Sequence, residues 1–216
     1  MSCCARCELE REIQRVGHSP VLRSGGARIY DGLMDARTLH ALLHEAVSRE
    51  VRLEHCPHGR DDEEVRGGEP ARRLMSVEGG PVEVGLFLAP ALSSFIGDEV
   101  RAPIRPCGTR GTYSIYLGAD AHLDLHRDIR GCDLALITCL YDSDPRADGG
   151  ALEMWPEHLT TPLGHLRRAG RVCEHRLALL PGETLLFHGG VVPHRIAPLG
   201  AERERIVSIM CFEMGG

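Results

Sequence analysis

A mainly β fold with flanking α-helices is what these 216 residues predict, on three observations. From Ala102 onward, short apolar or alternating runs are separated by Gly, Pro and Asp, as in strands joined by tight turns. Ahead of them, apolar residues recur at helical spacing. About eight strands with helices gathered on the N-terminal side pack best as two sheets, a jelly roll of the double-stranded β-helix, cupin-like kind, whose mouth can enclose a small ligand and a metal.

The elements follow in order. Residues 1–26 are polar and mixed, ending in Ser24-Gly25-Gly26, and read as a tail with one short helix over Glu8 to Val16. Residues 27–110 read as a supporting region. It holds a strand over Ala27 to Tyr30 and a helix N-capped by Asp35, with Leu39, Leu42, Leu43, Ala46 and Val47 on one stripe. His40 and His44 are four apart on that helix, without the neighbours of a zinc-protease sequence, and read as solvated. His55 to Pro70, with its acidic run Asp61 to Glu64, reads as an exposed loop. A second helix spans Pro90 to Ile96, stopped by Gly97.

The jelly-roll core is expected over 111–213. Its strands are Tyr113 to Leu117, His122 to His126, Leu134 to Tyr141, Ala151 to Met154, Arg176 to Leu179, Thr184 to His188, Pro193 to Ile196 and Arg205 to Phe212. Polar and basic residues 157–171 interrupt the strands and read as an insert or lid over the mouth. The whole is expected to be one domain.

Composition removes several classes of function. All 25 basic residues are arginine, so Schiff-base lysine chemistry and the phosphate-loop lysine are excluded. A formal charge of −6 argues against a nucleic-acid partner held through its phosphates. The longest apolar runs, Leu134 to Tyr141 and Val84 to Leu92, fall far short of the roughly 18 to 20 residues that span a bilayer. The N-terminus lacks the apolar core of a secretory signal, and nine cysteines form no framework spacing, so a soluble, cytoplasmic protein with reduced thiols is expected. Cys4-x-x-Cys7 with Cys56-Pro57-His58 has the residue types of a zinc site but not two tight pairs, and a plain tail is the better reading. Oligomeric state leaves no signal.

His126-Arg127-Asp128 carries the chemistry. Residues two apart on a strand project to one face, so one imidazole and one carboxylate can converge on an ion. An imidazole from a distant strand completes the two-histidine, one-carboxylate set that suits non-haem Fe(II) and leaves positions open. His122-Leu123-Asp124 is a second triplet of the same form, and both His188 and His194 are available downstream.

The second half, residues 110 to 213, resembles the Fe(II)/2-oxoglutarate-dependent oxygenase superfamily, in particular its prolyl-hydroxylase-like and phytanoyl-type branches. The resemblance rests on Tyr116 and Leu123 ahead of His126-Arg127-Asp128 and on Asp148-Gly149-Gly150-Ala151-Leu152. It continues with Pro181-Gly182-Glu183-Thr184-Leu185-Leu186-Phe187 and His194-Arg195-Ile196-Ala197-Pro198, and ends at Arg205. It implies His126, Asp128 and His194 as ligands of Fe(II), preferred over His122, Asp124 and His188. It also implies Arg205 as the clasp on the distal carboxylate of 2-oxoglutarate, a charge-assisted contact that contributes on the order of 1.5 to 3 kcal/mol. Fe(II), 2-oxoglutarate and O2 would then oxidise a C–H bond of a small molecule such as an amino acid or biosynthetic intermediate.

Departures from the pattern matter. The serine or threonine expected two residues after the arginine is Val207, while Ser208 points to the other face, so Tyr116, or failing it Tyr113, is expected to supply the second contact to the oxo acid. Asp128 disfavours the halogenating branch, and Cys211, where an arginine is usual, disfavours nucleic-acid demethylation. Two further readings stay open: a jelly-roll metal- or ligand-binding protein without turnover, and a hydroxylase of proteins or peptides. Arg127, Arg130, Trp155 and Arg167-Arg168 are further residues that could face the mouth.

Overall fold

The computed structural model describes residues 5–58, 66, 69–170 and 172–215. Its strands are β1 (Ala27–Tyr30), β2 (Arg52–Cys56), β3 (Arg72–Glu78), β4 (Ile104–Pro106), β5 (Thr112–Leu117) and β6 (His122–His126). They continue as β7 (Leu134–Asp142), β8 (Leu152–Met154), β9 (His175–Leu177), β10 (Thr184–Phe187), β11 (His194–Ile196) and β12 (Glu204–Met214). All eight strands expected in the core are present, with ends displaced by no more than about two residues.

Hydrogen bonding runs β1-β10-β7-β12-β5-β3-β6-β11-β8-β9, with β2 added to β3 and β4 to β12. The path folds over on itself, because one cavity is lined from β5, β7, β10 and β12 on one wall and from β6, β8 and β11 on the other. This is the jelly roll the strand pattern predicts. The central strand β7 is buried along nearly its whole length, since helices cover one face and the opposite wall covers the other, and its sequence is accordingly apolar apart from Thr138, Tyr141 and Asp142.

Among the described residues six α-helices flank the roll: α1 (Ala5–Val16), α2 (Pro20–Arg23), α3 (Ala36–Ser48), α4 (Pro81–Phe87), α5 (Pro90–Val100) and α6 (Leu163–Ala169). Asp35 caps α3 as predicted, accepting from Thr38 N at 2.7 Å. Leu42 and Ala46 are buried, but Val47 is 60% exposed, and Glu45 takes the inward place expected for an apolar residue. Its carboxylate accepts from the backbone of Gly80, Val82 and Glu83 at the start of α4, and from Tyr113 Oη at 2.7 Å. α4 itself was not anticipated. α5 runs past Gly97 and ends at Arg101 in the left-handed region, so Gly97 is an interior residue that lets the chain approach Ala102 O. Phe87 and Phe212 meet edge to face at 5.2 Å where α4 packs on the sheet.

Three further expectations are corrected. The N-terminal segment is more than a tail: Leu9 is buried, and Val16 and Val21 are buried within the main core. His55 and Cys56 belong to β2 rather than a loop, and Asp61 to Glu64 lie outside the described residues. Cys132 and Cys211 form a disulfide across 79 positions, against the expectation of reduced thiols throughout. No described helix is long and apolar enough to cross a membrane.

Candidate metal centre

β6 and β11 are antiparallel neighbours, with His126 directly opposite His194. Two residues further along β11, Ile196 is opposite Leu123, three residues back on β6, so β6 carries one extra residue. Such a bulge re-aims side chains, and here it lets Leu123 and His126 line the same cavity despite their odd spacing. Asp128 follows just beyond the strand, anchored by its N–H to Gly189 O at 2.9 Å.

Asp128 Oδ1 lies 3.6 Å from Nε2 of both His126 and His194. That is too far for hydrogen bonds, yet the three ligand atoms face one another across a common point. They form the one group of three or more such side chains among the described residues whose ligand atoms fall within 4.8 Å of each other. Each imidazole gives its other nitrogen to a carbonyl, His126 Nδ1 to Asp124 O at 2.8 Å and His194 Nδ1 to Val192 O at 2.9 Å. A carbonyl requires N–H there, which leaves both Nε2 lone pairs directed at Asp128. Burial, reinforced by the charge of His126, pushes His194 down, toward its neutral form. Burial alone would raise Asp128, but the two imidazoles outweigh it and hold the carboxyl well below the ordinary carboxylate range. Two imidazole Nε2 atoms and one carboxylate oxygen converging on a common point fit a divalent cation of the Fe(II) type.

The carboxylate is closely fitted. A Cβ on Gly189 would overlap Asp128 Oδ2, and Cys132 Sγ of the disulfide lies 3.6 Å from the same oxygen.

Arg205 lines the same cavity, a narrow space of about 60 Å3 walled by Ile137, Leu185, Phe187 and Val207. The residue is 3% exposed, and its guanidinium donates to Gly150 O at 2.5 Å. No ion pair to Arg205 is formed among the described residues, because Asp142 is taken in bidentate fashion by Arg203 at 2.9 and 2.7 Å. Tyr116 is the cross-strand partner of Arg205 and faces the cavity, its hydroxyl pushed up to about 12 by burial. Tyr113 points to the opposite face and is engaged by Glu45. Val207 does face the cavity, and Ser208 is buried with an unpartnered hydroxyl. A wider groove of about 780 Å3 reaches His126 and Asp128 and includes Arg52, Glu54, Arg72, Ser76, Thr112 and Ser114 in its lining.

The competing residues stand elsewhere. His122 bonds Asp120 O and Asp124 faces Arg167, while His188 is buried against Ser19 Oγ at 2.7 Å. His40 and His44 are exposed on α3. Cys4 lies outside the described residues, and Cys56 Sγ bonds only His58 O among them. Arg127 is fully buried, its guanidinium turned to the carbonyls of Val191, Leu159 and Thr161. Trp155 is buried with Leu125, Leu163 and Leu166, so the described part of the 157–171 insert packs behind β6 and lines neither the cavity nor the groove. Arg130 pairs with Glu8 at the surface. Sequence reasoning missed Arg66, Asp133, Gly189 and the Arg203–Asp142 pair, of which only the Gly189-Gly190 doublet left any local signal.

No known family's sequence profile matches the chain, and no curated protein sequence matches it. Solved structures do. A 2OG-Fe(II) oxygenase family oxidoreductase from Burkholderia pseudomallei superposes at a TM-score of 0.63 with 15% identity, over 94% of this chain and 90% of that one. HygX from Streptomyces hygroscopicus, solved with nickel and 2-oxoglutarate bound, gives 0.63 and 14%, over 94% and 86%. A Pseudomonas putida prolyl-4-hydroxylase gives 0.57 and 19%, over 95% and 100%. The chain has the fold of the 2-oxoglutarate- and Fe(II)-dependent oxygenases.

Proposed function

We propose that this protein is an Fe(II)- and 2-oxoglutarate-dependent oxygenase that hydroxylates a small polar molecule. The observation that carries the reading is Arg205, a buried cation without a counter-ion among the described residues, sharing one cavity with His126, Asp128 and His194. Burying a charge without a partner is costly, and an anionic ligand removes that cost. Bound iron supplies the redox chemistry that couples oxidative decarboxylation of the oxo acid to oxidation of a substrate C–H bond.

The chain's own residues divide the remaining work. His126, Asp128 and His194 hold the metal, and Arg205 clasps the distal carboxylate of 2-oxoglutarate as a two-pronged donor. Tyr116, kept protonated by its burial, offers the second donor in place of the residue that is Val207 here. Ile137, Leu185 and Phe187 exclude water around the oxo acid. The groove carries arginine, glutamate and hydroxyl side chains, a lining that favours a hydrophilic substrate with charged groups.

Anaerobic addition of Fe(II) and 2-oxoglutarate is expected to give a weak charge-transfer absorption in the visible, lost in His126→Ala with the far-UV circular dichroism retained. Absence of both the band and retained metal in the wild type overturns the reading. Succinate release across panels of amino acids, other small polar molecules and peptides then separates small-molecule from peptide hydroxylation, and no release anywhere favours a binding protein.

A further inference from the structure

Asp128 is the one metal-facing side chain that does not sit on a regular strand, so something else must hold it. The turn that bears it, residues 128–133, is gripped from outside by Arg66, which belongs to the connection between β2 and β3. Arg66 Nε donates to Asp128 O at 3.3 Å, and Nη2 donates to Ile129 O at 2.8 Å and Cys132 O at 2.5 Å. Nη1 pairs with Asp133 Oδ1 at 2.6 Å. The two side chains are 6% and 2% exposed. Asp133 is held in turn by Met214 N at 2.9 Å and Arg15 at 2.8 Å, which ties it to the end of β12 and to α1. The Gly189-Gly190 pair leaves room for both partners: a Cβ on Gly189 would strike the Asp128 carboxylate, and one on Gly190 would lie 2.5 Å from Arg66 Nη2.

We propose that Arg66 is a positioning residue for the metal carboxylate, acting through the backbone of residues 128–132 with Asp133 as its anchor. The inference rests on the metal-binding reading of His126, Asp128 and His194. A planar guanidinium can satisfy three carbonyls and a carboxylate at once, which no ammonium can do in that geometry. With the fork removed, the turn keeps its covalent ends but loses the contacts that aim Asp128 at the two imidazoles. Partners that orient a metal ligand commonly change metal affinity 10- to 100-fold when lost.

The test is Co(II) titration of the metal-free full-length chain, followed by visible absorption, alongside thermal melting of the same metal-free samples. Arg66→Met and Arg66→Lys are both expected to weaken Co(II) binding about 10- to 100-fold, with an altered Co(II) spectrum. The lysine retains the charge opposite Asp133 but loses the fork, so weak binding in that variant separates the carbonyl clamp from simple charge balance. Arg15→Met removes the other arginine on Asp133 without removing any of the Arg66 bonds to the backbone of residues 128–132, and is expected to bind Co(II) within about twofold of wild type. Co(II) binding unchanged in Arg66→Met, or weakened equally in Arg15→Met, overturns the proposal. Failure of both Arg66 variants to yield folded protein also overturns it, by assigning the residue to folding. A wild-type chain that binds no Co(II) counts instead against the metal-binding reading.

Discussion

Asp142 accepts from both Nε and Nη2 of Arg203, just ahead of β12, and Arg205, two residues further along and on β12, is thereby left with a backbone carbonyl and no carboxylate among the described residues. The division is useful: one arginine closes the end of the roll, and the other keeps its charge for a ligand. Arg205→Met is expected to weaken 2-oxoglutarate binding by about 10- to 150-fold, the equivalent of 1.5 to 3 kcal/mol, while the ligand-free protein melts no lower than wild type. Asp142→Asn leaves Arg203 uncompensated and is expected to cost about 3 to 5 kcal/mol of stability. Titration calorimetry with 2-oxoglutarate and thermal melting check the two arms, and a stability loss confined to Arg205→Met would contradict both.

Gly189 is required by contact rather than by backbone conformation. Its Cβ position coincides with Asp128 Oδ2 and also crowds Phe187. Gly189→Ala is expected to displace the carboxylate and weaken metal binding by more than about tenfold, as measured by Co(II) titration. Wild-type affinity in this variant would show that the Asp128 side chain is free to swing.

Stability is expected to fall with rising pH because of Glu83. Its carboxyl is completely buried, with Gly111 N donating to both oxygens at 2.9 and 3.0 Å. Burial pushes it from its ordinary 4.5 up to about 7; the Gly111 N–H and Arg110 oppose the rise, and the nearby Glu45 adds to it. Glu45 in turn holds Tyr113, so α3, α4 and β5 all face this carboxyl. The folded state binds the proton more tightly than the unfolded state, so the stabilisation is complete below about 4.5 and is lost as pH rises through about 7, amounting to about 3 kcal/mol. Glu83→Gln is expected to flatten this slope, and chemical denaturation at a series of pH values reads it. A stability that climbs between pH 5 and 7 in wild type, and not in the variant, would reverse the sign and refute the assignment.

The Cys132–Cys211 bridge closes a loop of about 80 residues and contributes about 4 kcal/mol by restricting the unfolded chain. Calorimetry with and without reductant is expected to show a fall in Tm of roughly 8 to 16 °C, reproduced by Cys211→Ser. Identical melting under both conditions would mean that the thiols are not joined in solution.

Much of this was legible before any coordinates. Strand spacing from Ala102 onward announced the roll, and the resemblance carried by His126, Asp128, His194 and Arg205 implied that these four share one site. Local pattern carried the fold because a strand's alternation and a helix's stripe are properties of neighbouring residues. The same logic misplaced Val47, whose spacing fits the stripe although Glu45 is the buried member. It also misjudged Gly97, since a helix ends where its backbone finds caps rather than wherever a glycine stands.

The sequence by itself determined the kind of fold and the short list of side chains able to meet at a metal. Tertiary structure alone decided how the chain re-aims through one extra residue in β6, and which of Arg203 and Arg205 has no carboxylate partner among the described residues. It alone brought Cys132 to Cys211, and Arg66 to the turn behind Asp128. These are contacts between residues far apart in the chain, so their partners leave no period in the sequence. They exist only after the sheet has folded over and excluded the water that would otherwise solvate each group separately.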